Sequence, residues 1–228
     1  MPFQGLPGRL SEIRDRIEAA RVRGGHGQAV RIVAVTKTHG PDAVHAAVAC
    51  GLDDVGENKV QEALDKMAAV TVPVRWHLIG HLQRNKAKAA TRFAVVHGLD
   101  SPRLADALAK AATDAETVLE VLVQVNVSGE VSKSGVAPTA VAPLAAHLAT
   151  LPSLRVRGAM TMAPYDASES VLRSCFAGAR AARETLVAEG HGEADALSMG
   201  MSGDYEIAVE EGATLVRLGT ILFGTRGE

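Results

Sequence analysis

The 228 residues carry 24 Lys and Arg against 26 Asp and Glu, a formal net charge of −2, which excludes the global basic field that gathers nucleic acid. Aromatic residues make up 3% and leave little with which to stack bases, while 47% hydrophobic and 22% charged residues suit a folded chain with an Ala, Val, Leu and Ile core. Cys50 and Cys175 have no metal-type spacing and read as free thiols of a reducing cytoplasm. The N-terminus lacks a signal-peptide pattern, and runs such as VLVQVNV fall far short of the roughly 18 apolar residues that cross a bilayer, so no membrane association is expected.

In chain order, a helix is expected from about Leu6 to Arg23, then an apolar strand from Val30 to Lys37 and a helix opening near Pro41, where proline suits the first turn. The short run Asp53 to Val55 leads into GENKVQEALDKMAAV, where Val60, Leu64 and Met67 recur at helical spacing. WHLIG, FAVVHGLD, VLVQVNV, VRGAMTM, ALSMGMS and TLVRLGT are further strand candidates. Ser101-Pro102 and Ser202 to Asp204 read as helix starts. Eight strands, each followed by a helix and with no linker between halves, point to a single (β/α)8 TIM barrel over residues 1–228. A doubly wound open sheet is the alternative, weakened by the lack of GxGxxG after the first strand.

In such a barrel the C-terminal ends of the strands carry the chemistry. Lys37 stands at the first of them. Partial desolvation there lowers a lysine's pKa and frees its amine to attack an aldehyde, although a plain surface lysine fits Lys37 taken alone. LSMGMSGD sets Ser202 and Gly203 past the seventh strand, and LVRLGTILFG sets Gly219 and Thr220 past the eighth. Backbone N–H groups and hydroxyls in those two loops can hold a phosphate, or the glycines simply make tight turns. Arg217, two residues before Gly219, would share its face and point into the barrel mouth, paired with a carboxylate or with a ligand ring nitrogen. Asn58 follows the second strand and could donate to the same ligand or cap a helix. Glu57 and Glu62 read as serving the helix start and its solvated face.

Other candidates are weaker. WHLIGHLQRNK places His77 and His81 on strand-like sequence and is not HExxH, so no metal site is assigned. Arg84, Lys86 and Lys88 read as a solvated helix face. VNVSGEVSKSGV is not GxxxxGK[ST] and reads as a loop in which Lys133 faces solvent.

Taken in order, VAVTK (Val33 to Lys37), GENKVQE (Gly56 to Glu62), HLIGHLQRNK (His77 to Lys86), VNVSGEVSKSG (Val125 to Gly135), LSMGMSGD (Leu197 to Asp204) and VRLGTILFG (Val216 to Gly224) closely resemble the pyridoxal phosphate homeostasis proteins, also labelled proline synthetase co-transcribed proteins. Lys59 and His81 depart from the usual motifs. The resemblance implies an alanine racemase N-terminal-domain-like barrel with pyridoxal 5′-phosphate (PLP) as cofactor. By motif it makes Lys37 the Schiff-base lysine, Ser202, Gly203, Gly219 and Thr220 the phosphate cradle, Arg217 the partner of the pyridine nitrogen, and Asn58 a neighbour of the ring.

What such a protein would do with PLP follows from what it lacks. A racemase needs PLP as an electron sink and a base on each face of the substrate. Only one lysine base is identifiable, the tyrosines are Tyr165 and Tyr205, and no stretch after the eighth strand would make the extra β domain that supplies alanine racemase's second base. An arginine at the ring nitrogen would also keep it unprotonated and the sink weak. The expectation is a monomeric cytoplasmic PLP carrier that buffers the aldehyde or delivers it to PLP-requiring apoenzymes; the alternative is a weak PLP-dependent amino-acid racemase.

Overall fold

The computed structural model describes residues 3–130 and 133–224, so Val131 and Ser132 of the loop after the fifth strand lie outside the described residues. Eight parallel strands close in sequence order into a barrel: β1 (Arg31–Val35), β2 (Asp54–Glu57), β3 (Arg75–Leu78), β4 (Val95–Leu99), β5 (Leu119–Gln124), β6 (Leu154–Met160), β7 (Ala196–Ser198) and β8 (Leu215–Leu218). A helix, α1 (Leu6–Gly24), precedes the first strand. The others each follow one: α2 (Pro41–Ala49), α3 (Val60–Ala69), α4 (Ala87–Ala90), α5 (Pro102–Asp114), α6 (Val141–Leu148), α7 (Glu169–Ala188), α8 (Tyr205–Glu210) and α9 (Thr220–Phe223). This is the (β/α)8 barrel the alternating pattern predicts.

Local chemistry sets several boundaries. Pro41 opens α2, and the Ser101 hydroxyl accepts the Leu104 N–H at 3.3 Å to cap α5. Gly25, at φ 69°, ends α1 in the left-handed region that glycine adopts without penalty. The strands are buried on both faces, as parallel strands under helices must be, so burial runs on from residue to residue rather than alternating.

Alternate residues divide between two cores. Ile32, Ala34, Val55, Leu78, Val96, Val121, Val123, Leu197, Val216 and Leu218 pack outward under the helices. Val33, Val95, Leu122, Met160 and Leu215 form a separate apolar cluster. It fills the barrel interior, since each has its strand neighbours in the outer core. The wall is continuous because β8 pairs with β1, from Arg31 opposite Leu215 to Ala34 opposite Leu218.

Strand β6 carries one residue more than β5 between the pairs Val121–Val156 and Leu122–Gly158, a bulge centred on Arg157. Gly158 sits there at φ 142°, and a Cβ at this position would lie 1.9 Å from the Ala196 carbonyl oxygen. Gly158→Ala should therefore destabilise the fold by about 3 kcal/mol, combining backbone strain with displacement of β7, measured as a lower urea midpoint.

Candidate functional site

The first strand stops short of the sequence expectation. It ends at Val35; the Thr36 N–H still donates to the Gly56 carbonyl of β2 at 3.1 Å, and the chain turns away from Lys37 onward, with Thr38 at φ 69°. A β-branched residue in that region costs on the order of 1–3 kcal/mol and persists only if its surroundings hold it. Here they do. The Thr36 hydroxyl donates to Glu57 Oε1, and the Thr38 N–H donates to Glu62 Oε1. Lys66 Nζ, on α3, reaches the Thr36 carbonyl at 2.7 Å, Glu57 at 2.7 Å and Glu62 at 2.9 Å. The turn presenting the half-buried Lys37 is thus clamped from below by two carboxylates and an ammonium.

This corrects the reading of Glu57 as a helix-start residue. Glu57 is fully buried in β2, and burial pushes its carboxyl above the ordinary range while Lys66 and Thr36 hold it down in part. Sequence reasoning missed Lys66 because a lysine six residues into an amphipathic helix ordinarily faces water. The available signal was a glutamate at the end of a strand in a fold whose strands are buried on both faces.

The loops after β7 and β8 meet on the other side of Lys37's strand. The Ser202 hydroxyl accepts the Ile221 N–H at 3.4 Å and ties the two together. A Cβ at Gly219 would stand 3.3 Å from the Val35 carbonyl oxygen, so glycine lets the end of β8 approach β1 closely. Among the described residues, the backbone N–H groups of Ser202, Gly203, Gly219 and Thr220 have no acceptor. Asp204 accepts the Met201 N–H at 2.6 Å, and burial raises its carboxyl above the ordinary range.

Arg217 lies on β8 opposite Val33, 4% exposed. Its Nη1 donates to Ser198 Oγ at 2.6 Å and its Nη2 to the Thr161 carbonyl at 3.0 Å. No carboxylate among the described residues forms an ion pair with it. Burial pulls the guanidinium down to about 10, against the attraction of Asp204, so it stays charged at neutral pH. Ser198 in turn faces His97 Nδ1 at 3.0 Å, His97 Nε2 meets His77 Nδ1 at 2.8 Å, and His77 Nε2 meets Asp54 Oδ1 at 2.8 Å. Both imidazoles are fully buried. His77 is therefore a barrel-interior residue, and nothing in the local pattern around His97 singles it out.

Asn58 is exposed just past β2. Its backbone oxygen would lie 2.2 Å from a Cβ at Gly80, so the glycine after β3 makes room for it. His81 stands apart on the surface, 3.5 Å from Asp100. Lys133 does not face solvent freely: it is half-buried, bonded to Glu130 at 2.7 Å and to the Met162 carbonyl at 3.4 Å. Arg84, Lys86 and Lys88 are exposed, and both cysteines are free. A cavity of about 660 Å³ bordered by Arg14, Gln28, Arg31 and Asp54 lies at the N-terminal end of the strands, away from these loops.

The closed barrel thus gathers a lysine after its first strand and, after its last two, hydroxyls and amides with no acceptor among the described residues. The family model for the alanine racemase N-terminal domain matches residues 9–227. Pyridoxal phosphate homeostasis proteins of Aquifex aeolicus and Pseudomonas aeruginosa are 41% and 43% identical to the chain, covering 96% and 95% of it and 97% and 94% of their own lengths. The structure of PipY of Synechococcus elongatus with PLP bound superposes with a TM-score of 0.84 at 32% identity, covering 96% of this chain and all of the other. Alanine racemase of Corynebacterium glutamicum, at 19% identity and a TM-score of 0.72, shares the fold. The chain belongs to the alanine racemase N-terminal-domain family, within its pyridoxal phosphate homeostasis protein branch.

Two outcomes follow from the buried groups. Lys66→Met leaves Glu57 and Glu62 without their cation and should cost about 3–5 kcal/mol in urea unfolding, with most of it recovered by adding Glu57→Gln. Burial, together with the nearby His77 and Arg217, holds His97 well below the ordinary histidine range. Below about pH 6.5 the unfolded chain therefore binds a proton that the folded chain does not. Stability should fall by up to about 1.4 kcal/mol per pH unit as pH drops from there, and His97→Asn should flatten that slope.

Proposed function

We propose that this chain binds PLP and serves PLP homeostasis, buffering the cofactor or delivering it, without robust catalytic turnover. The observation that carries the reading is the clamped turn that sets Lys37 beside the joined loops of β7 and β8. PLP supplies, when bound, an electrophilic aldehyde and a phosphate. The residues suit it: the unpaired amides of Ser202, Gly203, Gly219 and Thr220 would take the phosphate, and Lys37 the aldehyde. Arg217 keeps N–H donors beyond those used on Ser198 and Thr161 and would meet the ring nitrogen, with Asn58 beside the ring.

The same geometry speaks against a racemase. An arginine cannot be a hydrogen-bond acceptor, so a ring nitrogen facing it stays unprotonated and draws electrons weakly. The tyrosines are poorly suited as a second base: Tyr165 is fully exposed, and Tyr205 is buried in α8 under Arg16, 5.5 Å from its ring. In this reading the chain works as one barrel unit, monomeric and cytoplasmic, with PLP-requiring apoenzymes as recipients. Among the described residues no helix is long and apolar enough to cross a membrane.

Adding PLP to the purified chain should produce a visible absorption band that Lys37→Ala abolishes, and borohydride reduction followed by peptide mapping should place the adduct on Lys37. L-alanine incubated with the loaded protein should remain L. Sustained D-alanine formation, lost in Lys37→Ala, would overturn the carrier reading in favour of the racemase.

A further inference from the structure

The polar groups inside the barrel form an unbroken series from one end of it to the other. Asp54 opens β2 at the N-terminal end, beside Arg31 of β1 at 3.5 Å and Arg75 of β3 at 3.8 Å. Arg217 closes the series on β8, with Asp204 the carboxylate that acts on it electrostatically. Between them stand His77, His97 and Ser198, all at 0% exposure.

The two ends determine which way every hydrogen bond runs. A carboxylate only accepts and a guanidinium only donates. His77 Nε2 must therefore carry a proton for Asp54, which leaves its Nδ1 as an acceptor in the neutral ring. His97 then donates from Nε2 and accepts at Nδ1, the Ser198 hydroxyl donates to that nitrogen, and Ser198 Oγ is left to accept from Arg217. With both rings neutral, this pattern satisfies every link of the series. A proton added to His77 would force His97 to donate from Nδ1 toward Ser198. The serine would then accept twice and its own hydrogen would need another acceptor, for which the described residues offer none.

We propose that Asp54, His77, His97 and Ser198 form a one-directional hydrogen-bond relay that positions the Arg217 guanidinium at the barrel mouth from the opposite end of the barrel. They are positioning residues, and the proposal rests on the reading of Arg217 as the partner of the PLP ring nitrogen. A carboxylate bonded directly to Arg217 would take up its donors and cancel its charge where a ligand needs both. A serine and a backbone carbonyl hold it without doing either, and Asp204, the carboxylate that acts on it electrostatically, makes no ion pair with it among the described residues. Burial of His97 beside Arg217 disfavours its protonated form and so keeps the direction set.

The test combines histidine ¹⁵N NMR with PLP titration of wild type, Asp54→Ala, Ser198→Ala, the double variant, Ser198→Thr and Arg31→Gln. Expected are Nε2–H tautomers for both His77 and His97 from about pH 6 to 8. Asp54→Ala and Ser198→Ala should each weaken PLP binding by about fivefold and shift the pH profile of the bound band, while the double variant is no weaker than either. Ser198→Thr should restore binding, and Arg31→Gln, which leaves the Asp54–His77 bond in place, should not change it. Multiplying effects in the double variant, an unaltered Asp54→Ala, or an equal loss in Arg31→Gln would overturn the relay. If Asp54→Ala does not fold, the Ser198→Ala and Ser198→Thr pair decides, equal losses overturning it. If wild type itself forms no adduct at Lys37, the PLP reading fails separately. The tautomers then judge the relay, an Nδ1–H on either ring overturning it.

Discussion

The hydrogen bonds between β1 and β8 bring Lys37 to residues near the other end of the chain. Without that closing ladder, Arg31 to Ala34 against Leu215 to Leu218, the lysine and the loops after β7 and β8 would share no surface. Closing so long a loop costs chain entropy, which a parallel barrel offsets by burying both faces of every strand. The close approach of Gly219 to Val35 is a consequence of the same register, as is the placement of Arg217 opposite Val33.

Within that frame, the buried carboxylates, lysine, histidines and arginine among the described residues are each tied to another polar group. Glu57 and Lys66 meet at 2.7 Å with almost no exposure, and the pair's remaining bonds go to the turn that carries Lys37. Such a pair adds little net stability, because desolvation offsets most of its attraction, but breaking it is costly. Its value here is geometric. A threonine with positive φ is kept in place, and the lysine before it is held at the mouth rather than left to wander as an exposed side chain. The interior column from Asp54 to Arg217 follows the same logic over a longer path, with histidine and serine as neutral links.

Much of this was legible in the sequence. The eight apolar runs are short and separated by helix starts and glycines, so period and spacing were enough to count a barrel. Lys37, Ser202, Gly203, Gly219 and Thr220 stand at strand exits, where the fold class itself directs attention. Glu57, Lys66 and His97 were not legible. Each is a polar residue inside an element whose local pattern is met equally well by a solvated glutamate, a solvated lysine or a satisfied core histidine, and only their partners distinguish these cases.

The order and type of the elements, and which residues stand at the C-terminal ends of the strands, can be read from the chain alone, because they depend on the nearest few neighbours along it. The tertiary structure decided which polar side chains meet. The bond from Lys66 to Thr36, the link between Ser202 and Ile221, and the series from Asp54 through His77, His97 and Ser198 to Arg217 all join residues on different elements and loops. Whether a charge at such a position is paired or solvated depends on register and barrel closure, which no local pattern encodes.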